Sequence, residues 1–594
     1  MRKSIATVSL SGSLSEKLAA IAAAGFDGVE IFENDLLASP LAPEEVRMRA
    51  ADLGLRIELY QPFRDFEAVP DDLLARNLRR AERKFALMQR LGADLLLVCS
   101  SVSPEALDDD ALAAEQLHRL AELAGEFGIR IAYEALAWGR HVNTYEHAWR
   151  IVEQAGHPGL GTCLDSFHIL SRGSDPKGIE AIPGDKIFFL QLADAPQVAM
   201  DVLQWSRHYR CFPGQGGFDV AAVVAHAVRA GYRGPLSLEV FNDVFRQADA
   251  GRTAVDALRS LIALEEAAGT AVLPEPVVPS GFAFAELAAA DTEPLRGLLG
   301  ALGFSRTGRH PGKPVELWQQ GEARVLLNTT AGHLRDGASI TALGLDAADP
   351  RAAVRRAEAL LAPVVPRRRT FGEAPLDAVA APDGTELFFC GTELPGWRGD
   401  FTPSAATAEP TGITAVDHVA IPQPWHHFDE ASLFHRTVLG LRPDESLDLA
   451  DPYGLYRSRA VANATGTVRI ALNVAPGPED AEARPQHIAF ATDDLIAAAR
   501  RIRERGGSFL RIPANYYDDL DARHELDPAT LAELRELDLL YDRDEYGEFL
   551  HCYTPTVGRV FFELVQRTGD YRGYGAYNAT VRLAAQHAGR QQPI

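Results

Sequence analysis

Short apolar runs alternate with longer amphipathic stretches over the first 265 residues. The apolar runs predict eight strands, at residues 4–10, 28–32, 56–60, 94–100, 130–134, 160–165, 187–192 and 236–241. Between them, stretches such as SEKLAAIAAAGF and FDVAAVVAHAVRAGY have apolar residues at helical spacing and a glycine near the end, where helix C-caps are common. The strands are apolar at nearly every position, which is typical of parallel strands buried on both faces.

The number and spacing of these units indicate the fold class. Eight strand–helix units within about 265 residues match the size and count of a (β/α)8 TIM barrel. An open, doubly wound parallel sheet is the alternative. Because no Gly-rich dinucleotide fingerprint follows the first strand, the barrel is favoured. We predict an α/β TIM-barrel domain at residues 1–266.

The chain changes character after the barrel. Residues 267–280 are Ala/Pro-rich and without periodicity, which predicts a linker. Beyond it, three pairs of segments resemble each other: ARVLLNTTAG (323–332) and TVRIALNVAPG (467–477), GFAFAELAAAD (281–291) and AVDHVAIPQPW (415–425), GTELFFCG (384–391) and GRVFFELVQ (558–566). Such an internal repeat determines the architecture. We therefore predict two related α+β modules, at 281–397 and 412–594, separated by the Pro/Ala-rich segment 398–412.

Charge and cysteine content narrow the class of protein. The 594 residues include 59 Lys and Arg against 82 Asp and Glu, a net charge of −23, which argues against nucleic acid or an anionic membrane as a partner. The five cysteines are widely spaced and form no C-x-x-C motif, as expected for reduced thiols. No signal-peptide-like core and no apolar run of about 20 residues is present. We expect a cytoplasmic protein that acts on a small molecule. The sequence leaves open whether the protein forms a homo-oligomer.

Four of the predicted strands end on side chains that can bind a metal. These are Glu134, Asp165, Gln191 and Glu239, at the C-terminal ends of strands five to eight. Those ends meet in one barrel mouth. Three carboxylates there would repel each other unless a cation neutralised them, and oxygen ligands suit Mg²⁺, Mn²⁺ or Co²⁺. Such a cation could act as a Lewis acid on a carbonyl or diol oxygen. Asp194, beyond the seventh strand, is a supporting candidate.

Several polar residues near these strand ends are candidates for catalysis and substrate binding. His168 follows Asp165 by three residues, and an imidazole suits proton abstraction beside a polarised carbonyl. Arg64 and Arg210 could hold a substrate carboxylate bidentately. Each of these side chains alone would more often be a surface residue. The remaining candidates for substrate contact are Tyr60, His208 and Glu33.

The last third of the chain has a second set of metal-capable residues on three separate strands: His418, His487 and Glu563. Two histidines and one carboxylate form the facial triad of non-haem iron enzymes, which leaves positions open for substrate and O₂. In the first module, Ala283 or Phe284 lies where His418 falls, and residues 339–345 contain no histidine. The pattern predicts one divalent-cation site, for Fe²⁺ or Mg²⁺, in the second module.

The N-terminal motifs also carry a family resemblance. IATVSLSG, GFDGVEIFENDL, the four strand-end ligands and DSFHIL resemble the xylose-isomerase-like TIM barrels and, more closely, the bacterial 3-dehydroshikimate dehydratases. The resemblance implies that a divalent cation binds the four ligands, that His168 transfers a proton, and that 3-dehydroshikimate is dehydrated to protocatechuate in quinate or shikimate catabolism. Some relatives have a lysine just before the glutamine ligand, where this chain has Leu190, so Arg210 or His208 would have to replace it.

The C-terminal motifs resemble a different family. VDHVAI, QHIAFATDDL, RIPANYYDDL and GRVFFELVQRTGDYRGYGAYNA are similar to the vicinal-oxygen-chelate fold and to 4-hydroxyphenylpyruvate dioxygenase. The resemblance implies metal binding by the second module. Two segments depart from that family: FLHCYT, with Leu550, His551 and Cys552, replaces a glutamine-bearing segment, and Ala576-Tyr577 replaces a Glu-Gly-Asn-like run.

Four hypotheses about activity stay open at this stage. The barrel is a dehydratase, or it isomerises or epimerises a sugar or inositol on the same cation, since both reactions begin with an enolate or enediolate. For the C-terminal half, one hypothesis is a catalytically active Fe(II) dioxygenase, which would make the protein bifunctional. The other is a non-catalytic module.

Overall fold

The computed structural model describes residues 1–329, 337–405, 408–451, 454–474 and 485–591. It divides into two compact units, Met1–Leu273 and Pro274–Ile594. The last helix of the first unit ends at Ala267, at the start of the predicted linker. Three parts of the sequence predictions lie outside the described residues. They are residues 330–332 and 475–477 of the predicted repeat, residues 406–407 of the segment 398–412, and the last three residues of the second module.

The first unit is a closed barrel of eight parallel strands, as predicted. The strands are β1 Lys3–Ala6, β2 Gly28–Phe32, β3 Arg56–Phe63, β4 Leu95–Cys99, β5 Arg130–Glu134, β6 Leu160–Asp165, β7 Ile187–Leu192 and β8 Leu236–Leu238. Strand β8 pairs with β1 and closes the ring. The first and last strands are shorter than predicted. Ser9 lies in a 3-10 turn after β1, and its hydroxyl accepts the Val240 N–H at 2.9 Å, which replaces a strand–strand hydrogen bond.

Ten helices belong to this unit: α1 Leu14–Ala24, α2 Glu33–Leu37, α3 Pro43–Asp52, α4 Asp71–Leu91, α5 Asp110–Glu126, α6 Tyr145–Ala155, α7 Ser166–Ser171, α8 Val202–His208, α9 Val220–Ala230 and α10 Ala250–Ala267. Helix α1 illustrates why the sequence signals were informative. Ser13 and Glu16 form a capping box at its start, and Gly25 ends it in the left-handed conformation, with φ of 103°. Helices α7 and α8 follow the ends of β6 and β7 and contribute to the barrel mouth.

The second unit contains two eight-stranded sheets. The first module consists of β9 Phe282–Ala288, α11 Glu293–Ala301, β10 Ser305–Arg309, β11 Val315–Gln320, β12 Ala323–Asn328, β13 Ser339–Ala347, α12 Pro350–Ala359, β14 Asp377–Ala380, β15 Glu386–Gly391 and β16 Thr402–Pro403. The second module consists of β17 Ile413–Pro422, α13 Phe428–Leu439, β18 Arg442–Asp451, β19 Gly454–Ala462, β20 Arg469–Val474, β21 Gln486–Thr492, α14 Leu495–Glu504, α15 Ala514–His524, α16 Pro528–Leu537, β22 Leu540–Arg543, β23 Gly547–Tyr553, β24 Val560–Gly569 and α17 Ala576–Gln591.

The two modules repeat one pairing pattern. In the first, β9 lies parallel to β12 and antiparallel to β13. In the second, β17 lies parallel to β20 and antiparallel to β21. The repeat inferred from sequence therefore reflects two copies of one α+β module, which confirms the predicted fold class. Across the described ranges, the structure contains no helix with the length and apolar character of a membrane span.

Candidate active site and metal centres

The mouth of the barrel contains a cavity of about 780 Å³ at the C-terminal ends of the strands. Glu134, at the end of β5, and Glu239, just after β8, line it together with His168 and Arg210. Asp165 ends β6, is 2% exposed, and lies behind Arg210 and His168. The positions follow from the topology, because parallel strands of a TIM barrel present their C-terminal ends to one face.

Three of these side chains are close enough to share one cation. Single ligand atoms of Glu134, Asp165 and His168 all lie within 4.8 Å of one another. Arg210 connects Asp165 to Glu239, which follows β8. Its Nη1 donates to Asp165 Oδ2 at 2.8 Å and to Glu239 Oε2 at 3.1 Å. The structure thus gathers the predicted carboxylates of β5, β6 and β8.

The environment of Glu134 fits a metal ligand. Its Oε1 is buried and has no hydrogen-bond partner within the described residues, and Oε2 accepts a contact from the Cys99 thiol at 3.3 Å. Burial, and then the charges of Asp165 and Glu239, raise the pKa of Glu134 well above its usual range. A buried carboxylate that lacks partners is costly unless a cation compensates it. The donor set, all oxygen apart from one nearby imidazole, suits Mg²⁺, Mn²⁺ or Co²⁺.

Gln191 is oriented by a carboxylate that the sequence reasoning missed. Its Nε2 donates to Glu30 Oε2 at 2.6 Å, and Gln61 Nε2 donates to the same atom at 2.8 Å. Ser237 also hydrogen-bonds Glu30. With its amide N–H group bound to Glu30, Gln191 directs its oxygen to the Cys163 thiol at 3.4 Å and, unlike Glu134 and Glu239, does not line the cavity. Burial, then Glu239, raises the pKa of Glu30 to about 8.

Arg210 is fully committed to protein partners. Besides Asp165 and Glu239, it donates to the Ser206 hydroxyl through Nε at 3.1 Å and Nη2 at 2.9 Å, and its guanidinium lies 4.5 Å from the Phe167 ring centroid. Burial opposes the ionisation of Asp165, but Arg210 and then His168 lower its pKa below the usual value. The sequence suggests Arg210 as a substrate contact. The structure instead has it holding two predicted metal ligands.

His168 faces the same cluster. Its Nε2 lies 3.9 Å from Glu134 Oε1 and 3.8 Å from Asp165 Oδ2, and Trp138 packs edge-on against the ring at a centroid distance of 5.1 Å. Burial lowers the pKa of His168 to about 3, against the opposing charge of Asp165 and together with that of Arg210. The ring is therefore neutral at physiological pH and has one nitrogen lone pair. Two N–H donors approach its nitrogens: Ala137 N at Nδ1 (3.1 Å) and Arg210 Nη2 at Nε2 (3.3 Å).

Of the remaining candidates, Arg64, Glu33 and His208 line the cavity, whereas Tyr60 is fully buried and does not line it. Within the described residues, the Arg64 guanidinium has no hydrogen-bond or ion-pair partner. Glu33 pairs with Lys84, whose Nζ also lies 3.5 Å from the Tyr60 hydroxyl. His208 lies at the rim and contacts Asp243 Oδ2 through Nδ1 at 2.9 Å.

Lys84 lies outside the set expected from the sequence, and the structure also shows what Leu190 and Asp194 do. Lys84 projects from the middle of α4 into the cavity, and no motif marked it, because its helix is distant in sequence from the strand ends. Leu190 is fully buried, so the position before Gln191 contributes no polar group to the cavity. Asp194 accepts backbone N–H groups from Gly214, Gly216 and Phe218 at 2.8–3.0 Å and organises a loop rather than the cluster.

The second module contains the other predicted cluster. Glu563 Oε2 lies 3.2 Å from His418 Nε2 and 3.1 Å from His487 Nε2, and all three side chains are buried. They project from β17, β21 and β24, which are adjacent in the sheet. Convergence of two imidazole nitrogens and one carboxylate oxygen on one point fits a divalent cation.

Outer contacts hold this triad in place. Asp417 Oδ1 contacts His418 Nδ1 at 2.7 Å, which directs Nε2 to the centre. Arg567 fixes Asp417 from behind, with Nε at 2.9 Å from Oδ2. His551 belongs to the FLHCYT segment, which differs from the dioxygenase family. It is fully buried and contacts Glu563 Oε1 through Nδ1 at 2.7 Å. It supports the carboxylate where the dioxygenases resembled have a glutamine. Tyr577 is 74% exposed and contributes nothing to the centre.

We expect the variant Glu563→Gln to lose the cation of this module while the barrel keeps its own. The substitution removes the one anionic ligand of the triad and weakens its contact with His551, and losses of about 10- to 100-fold in metal affinity follow even from outer-shell changes. Elemental analysis of the purified full-length chain, with Glu548→Gln as a control on the exposed end of β23, would test this. An unchanged metal content in the Glu563 variant would contradict the assignment.

Three family models match successive parts of the chain. Xylose isomerase-like TIM barrel matches residues 18–276, the N-terminal domain of hydroxyphenylpyruvate dioxygenase matches 274–390, and the glyoxalase/bleomycin resistance protein/dioxygenase superfamily matches 415–530. A 3-dehydroshikimate dehydratase of Pseudomonas putida is 47% identical over 99% of both chains. One of Pseudomonas aeruginosa is 48% identical over 100% of this chain and 99% of its own.

This chain belongs to the family of bacterial 3-dehydroshikimate dehydratases.

The family resemblance covers both halves of the protein. A solved structure described as a xylose isomerase-like TIM barrel/4-hydroxyphenylpyruvate dioxygenase fusion protein aligns with a TM-score of 0.91, 46% identity and full coverage of both chains. A 4-hydroxyphenylpyruvate dioxygenase of Pseudomonas aeruginosa is 30% identical over 51% of this chain and 92% of its own. The similarity thus extends over both halves of the chain, and the two resemblances inferred from sequence are confirmed.

Proposed function

We propose that the barrel dehydrates 3-dehydroshikimate to protocatechuate and that a divalent cation is required. The observation that carries the proposal is the partnerless, buried Glu134 oxygen beside Asp165 and Glu239, in a cavity that also contains the unpaired Arg64. The substrate has a ring carboxylate, a ketone and adjacent hydroxyl groups, which match a guanidinium and an oxygen-rich metal site. Full-length relatives of that name support the choice.

The residues of the cavity account for the chemistry as follows. A bound cation supplies Lewis acidity to the ketone oxygen, which acidifies the neighbouring C–H bond. Arg64 holds the ring carboxylate and fixes the orientation of the ring. His168 takes the proton from the carbon next to the ketone and returns it to the hydroxyl group on the following carbon, which leaves as water. Loss of a further ring proton and protonation of the ketone oxygen then complete the aromatic ring.

His168 can accept that proton only in one tautomer. Its Nε2 must hold the lone pair, as it does when Arg210 Nη2 donates to it, and Nδ1 must then be the protonated nitrogen. Because the Ala137 N–H can only donate, its contact with Nδ1 at 3.1 Å belongs to the other tautomer, and proton transfer through Nε2 requires that contact to open. The Glu33–Lys84 pair, which also lines the cavity, supplies polar contacts for the ring hydroxyl groups.

The assignment is tested by incubating the full-length protein with 3-dehydroshikimate and recording ultraviolet absorbance. Aromatisation gives a new absorption band, whereas isomerisation or epimerisation of a sugar or inositol gives none. Appearance of the band with release of protocatechuate supports the dehydratase. Turnover of sugar or inositol substrates without activity on 3-dehydroshikimate would replace it with the isomerase alternative.

The variant Arg64→Ala should lower kcat/KM by about 10- to 150-fold, since a hydrogen bond to a charged group contributes about 1.5–3 kcal/mol. The loss should be partly reversed by Arg64→Lys, which restores charge but not the bidentate geometry. Arg79→Ala, on the exposed side of α4, is the matched control. Equal kinetics for Arg64→Ala and Arg79→Ala would show that Arg64 does not bind substrate.

We propose the His418–His487–Glu563 triad as the site of a second candidate activity. Its geometry suits O₂ activation by Fe(II), and this favours a dioxygenase reaction in the second module. Oxygen consumption with an aryl-pyruvate or with protocatechuate, abolished in His487→Ala, would support it. If none of these substrates causes oxygen consumption, the second module has a non-catalytic role.

A further inference from the structure

The first C-terminal module has an apolar counterpart of the metal triad. Across the second module, His418 pairs with Ala489, and Ala489 pairs with Glu563. The same ladder in the first module joins Phe284 to Gly344 and Gly344 to Phe388. His487 lies two residues before Ala489, so its counterpart is Ala342. The three ligand positions are therefore occupied by Phe284, Ala342 and Phe388.

These replacements leave a cavity of about 400 Å³ with an aromatic floor. The Phe284 ring lies 4.9 Å from Trp397 and 5.8 Å from Phe388, and Trp397 lies 6.0 Å from Phe401, measured between ring centroids. The cavity is within the size range of small-molecule sites, which combine apolar walls with a few polar groups. Its width suits one aromatic ring rather than a large cofactor.

The cationic side chains of this cavity are only partly neutralised. Lys313 pairs with Glu373 at 2.6 Å. Arg367 lies with its guanidinium carbon 4.6 Å from the Phe388 ring centroid and donates to the Leu376 carbonyl at 3.2 Å. Within the described residues, neither Arg367 nor Arg369 has a carboxylate partner. Two guanidinium groups next to an aromatic floor can bind an anionic group attached to a ring.

One polar group extends from the floor itself. Glu286, on β9, faces the cavity and accepts a hydrogen bond from Asn328 Nδ2 at 2.9 Å. Burial, and then Glu386, raise its pKa above the usual value. A carboxyl group of this kind can exchange hydrogen bonds with a phenolic hydroxyl. Glu373, Asp377 and Asp400 also line the cavity; Glu373 pairs with Lys313, and Asp400 accepts the Ala374 N–H at 3.0 Å.

We propose that this cavity, which we call the β9 cavity, binds a monocyclic phenolic carboxylate. The ring stacks among Phe284, Phe388 and Trp397, Arg367 binds the carboxylate, and Glu286 binds a ring hydroxyl. The ligand class follows from the side chains of the cavity. The proposed product of the barrel, protocatechuate, belongs to this class, and that connection alone rests on the proposed function.

The test is isothermal calorimetry with 3,4-dihydroxybenzoate on the full-length chain carrying Arg64→Ala, which weakens any binding in the barrel mouth. Two related probes separate the contacts: benzoate lacks the hydroxyl groups, and catechol lacks the carboxylate. Arg367→Ala and Glu286→Gln are introduced in the same background. Arg368→Ala is the matched control, because Arg368 is exposed and does not line the cavity.

We expect saturable binding of 3,4-dihydroxybenzoate that weakens at least about 10-fold in Arg367→Ala and is unchanged in Arg368→Ala. Benzoate should bind more weakly than 3,4-dihydroxybenzoate, and Glu286→Gln should remove most of that difference. Absence of binding in the Arg64→Ala background, or equal binding by the Arg367 and Arg368 variants, would overturn the proposal. Dehydratase turnover of Arg367→Ala protein is measured separately and should equal that of the unmodified chain, so failure of this site and failure of the dehydratase assignment are distinguishable.

Discussion

The variant Glu134→Gln is expected to lower turnover of 3-dehydroshikimate by about 1000-fold or more. Glutamine keeps the size of the side chain but removes the anionic oxygen that, within the described residues, has no other partner. A cation stabilises developing oxyanion charge by several kcal/mol, and each 1.36 kcal/mol corresponds to a factor of ten in rate. The loss should appear in kcat, since Arg64 and the remaining cavity still bind the substrate.

The stability of the same variant provides an independent readout. Burial and two neighbouring carboxylates disfavour ionised Glu134, so a neutral amide should leave the metal-free protein as stable as before, or more so. Differential scanning calorimetry in the presence of a chelator, with Glu153→Gln on the exposed face of α6 as a control, measures this. Full dehydratase activity in Glu134→Gln protein would contradict the metal assignment. A collapse in melting temperature would instead indicate a structural role for the carboxylate.

The variant His168→Gln should reduce kcat by about 100- to 10 000-fold with little change in KM. A positioned general base contributes about that much, and the ring does not bind the substrate carboxylate. Glutamine retains an oxygen that can accept the Ala137 N–H, so the loop that follows β5 should keep its place. The measurement is steady-state kinetics together with incorporation of solvent deuterium next to the ketone, which only a proton-transfer role would affect.

His226→Gln serves as the control for this variant, because His226 contacts Glu180 on the outside of the barrel. Activity of His168→Gln within about threefold of that control would remove His168 from proton transfer. Residual activity accompanied by normal deuterium exchange would assign the base to another group of the cavity, such as Lys84.

Much of the fold and the ligand set was predictable because both follow from local patterns. The near-continuous apolar strands specify a buried parallel sheet, and the order of the strands then brings Glu134, Asp165 and Glu239 to one face. The same reasoning predicted the triad of the second module, because two copies of a repeat could be compared. In each case the informative residue occupies a strand end or a strand interior with a known direction.

Contacts made by residues distant in sequence were not predictable. Glu30 lies inside β2 in an apolar run, and only the closed barrel places it against Gln191. Lys84 reaches the cavity from the middle of a long helix, and Arg80, one turn earlier on that helix, lines the same cavity. The sequence predicted that Arg210 lies at the mouth of the barrel. Its hydrogen bonds with Asp165 and Glu239 depend on how three strands and α8 converge. The sequence showed that His551 lies where the segment FLHCYT differs from the dioxygenase family. Its contact with Glu563 could be recognised only from the pairing of β23 with β24.

The most direct test of the account is metal-dependent turnover by the full-length protein. The chain is stripped with a chelator, its metal content is verified by elemental analysis, and formation of protocatechuate from 3-dehydroshikimate is followed before and after addition of Mg²⁺, Mn²⁺ or Co²⁺. We predict no aromatic product from the stripped protein and recovery of activity on addition of at least one of these ions, in the unmodified chain and in Glu563→Gln but not in Glu134→Gln. Full activity of a verified metal-free protein would contradict the account.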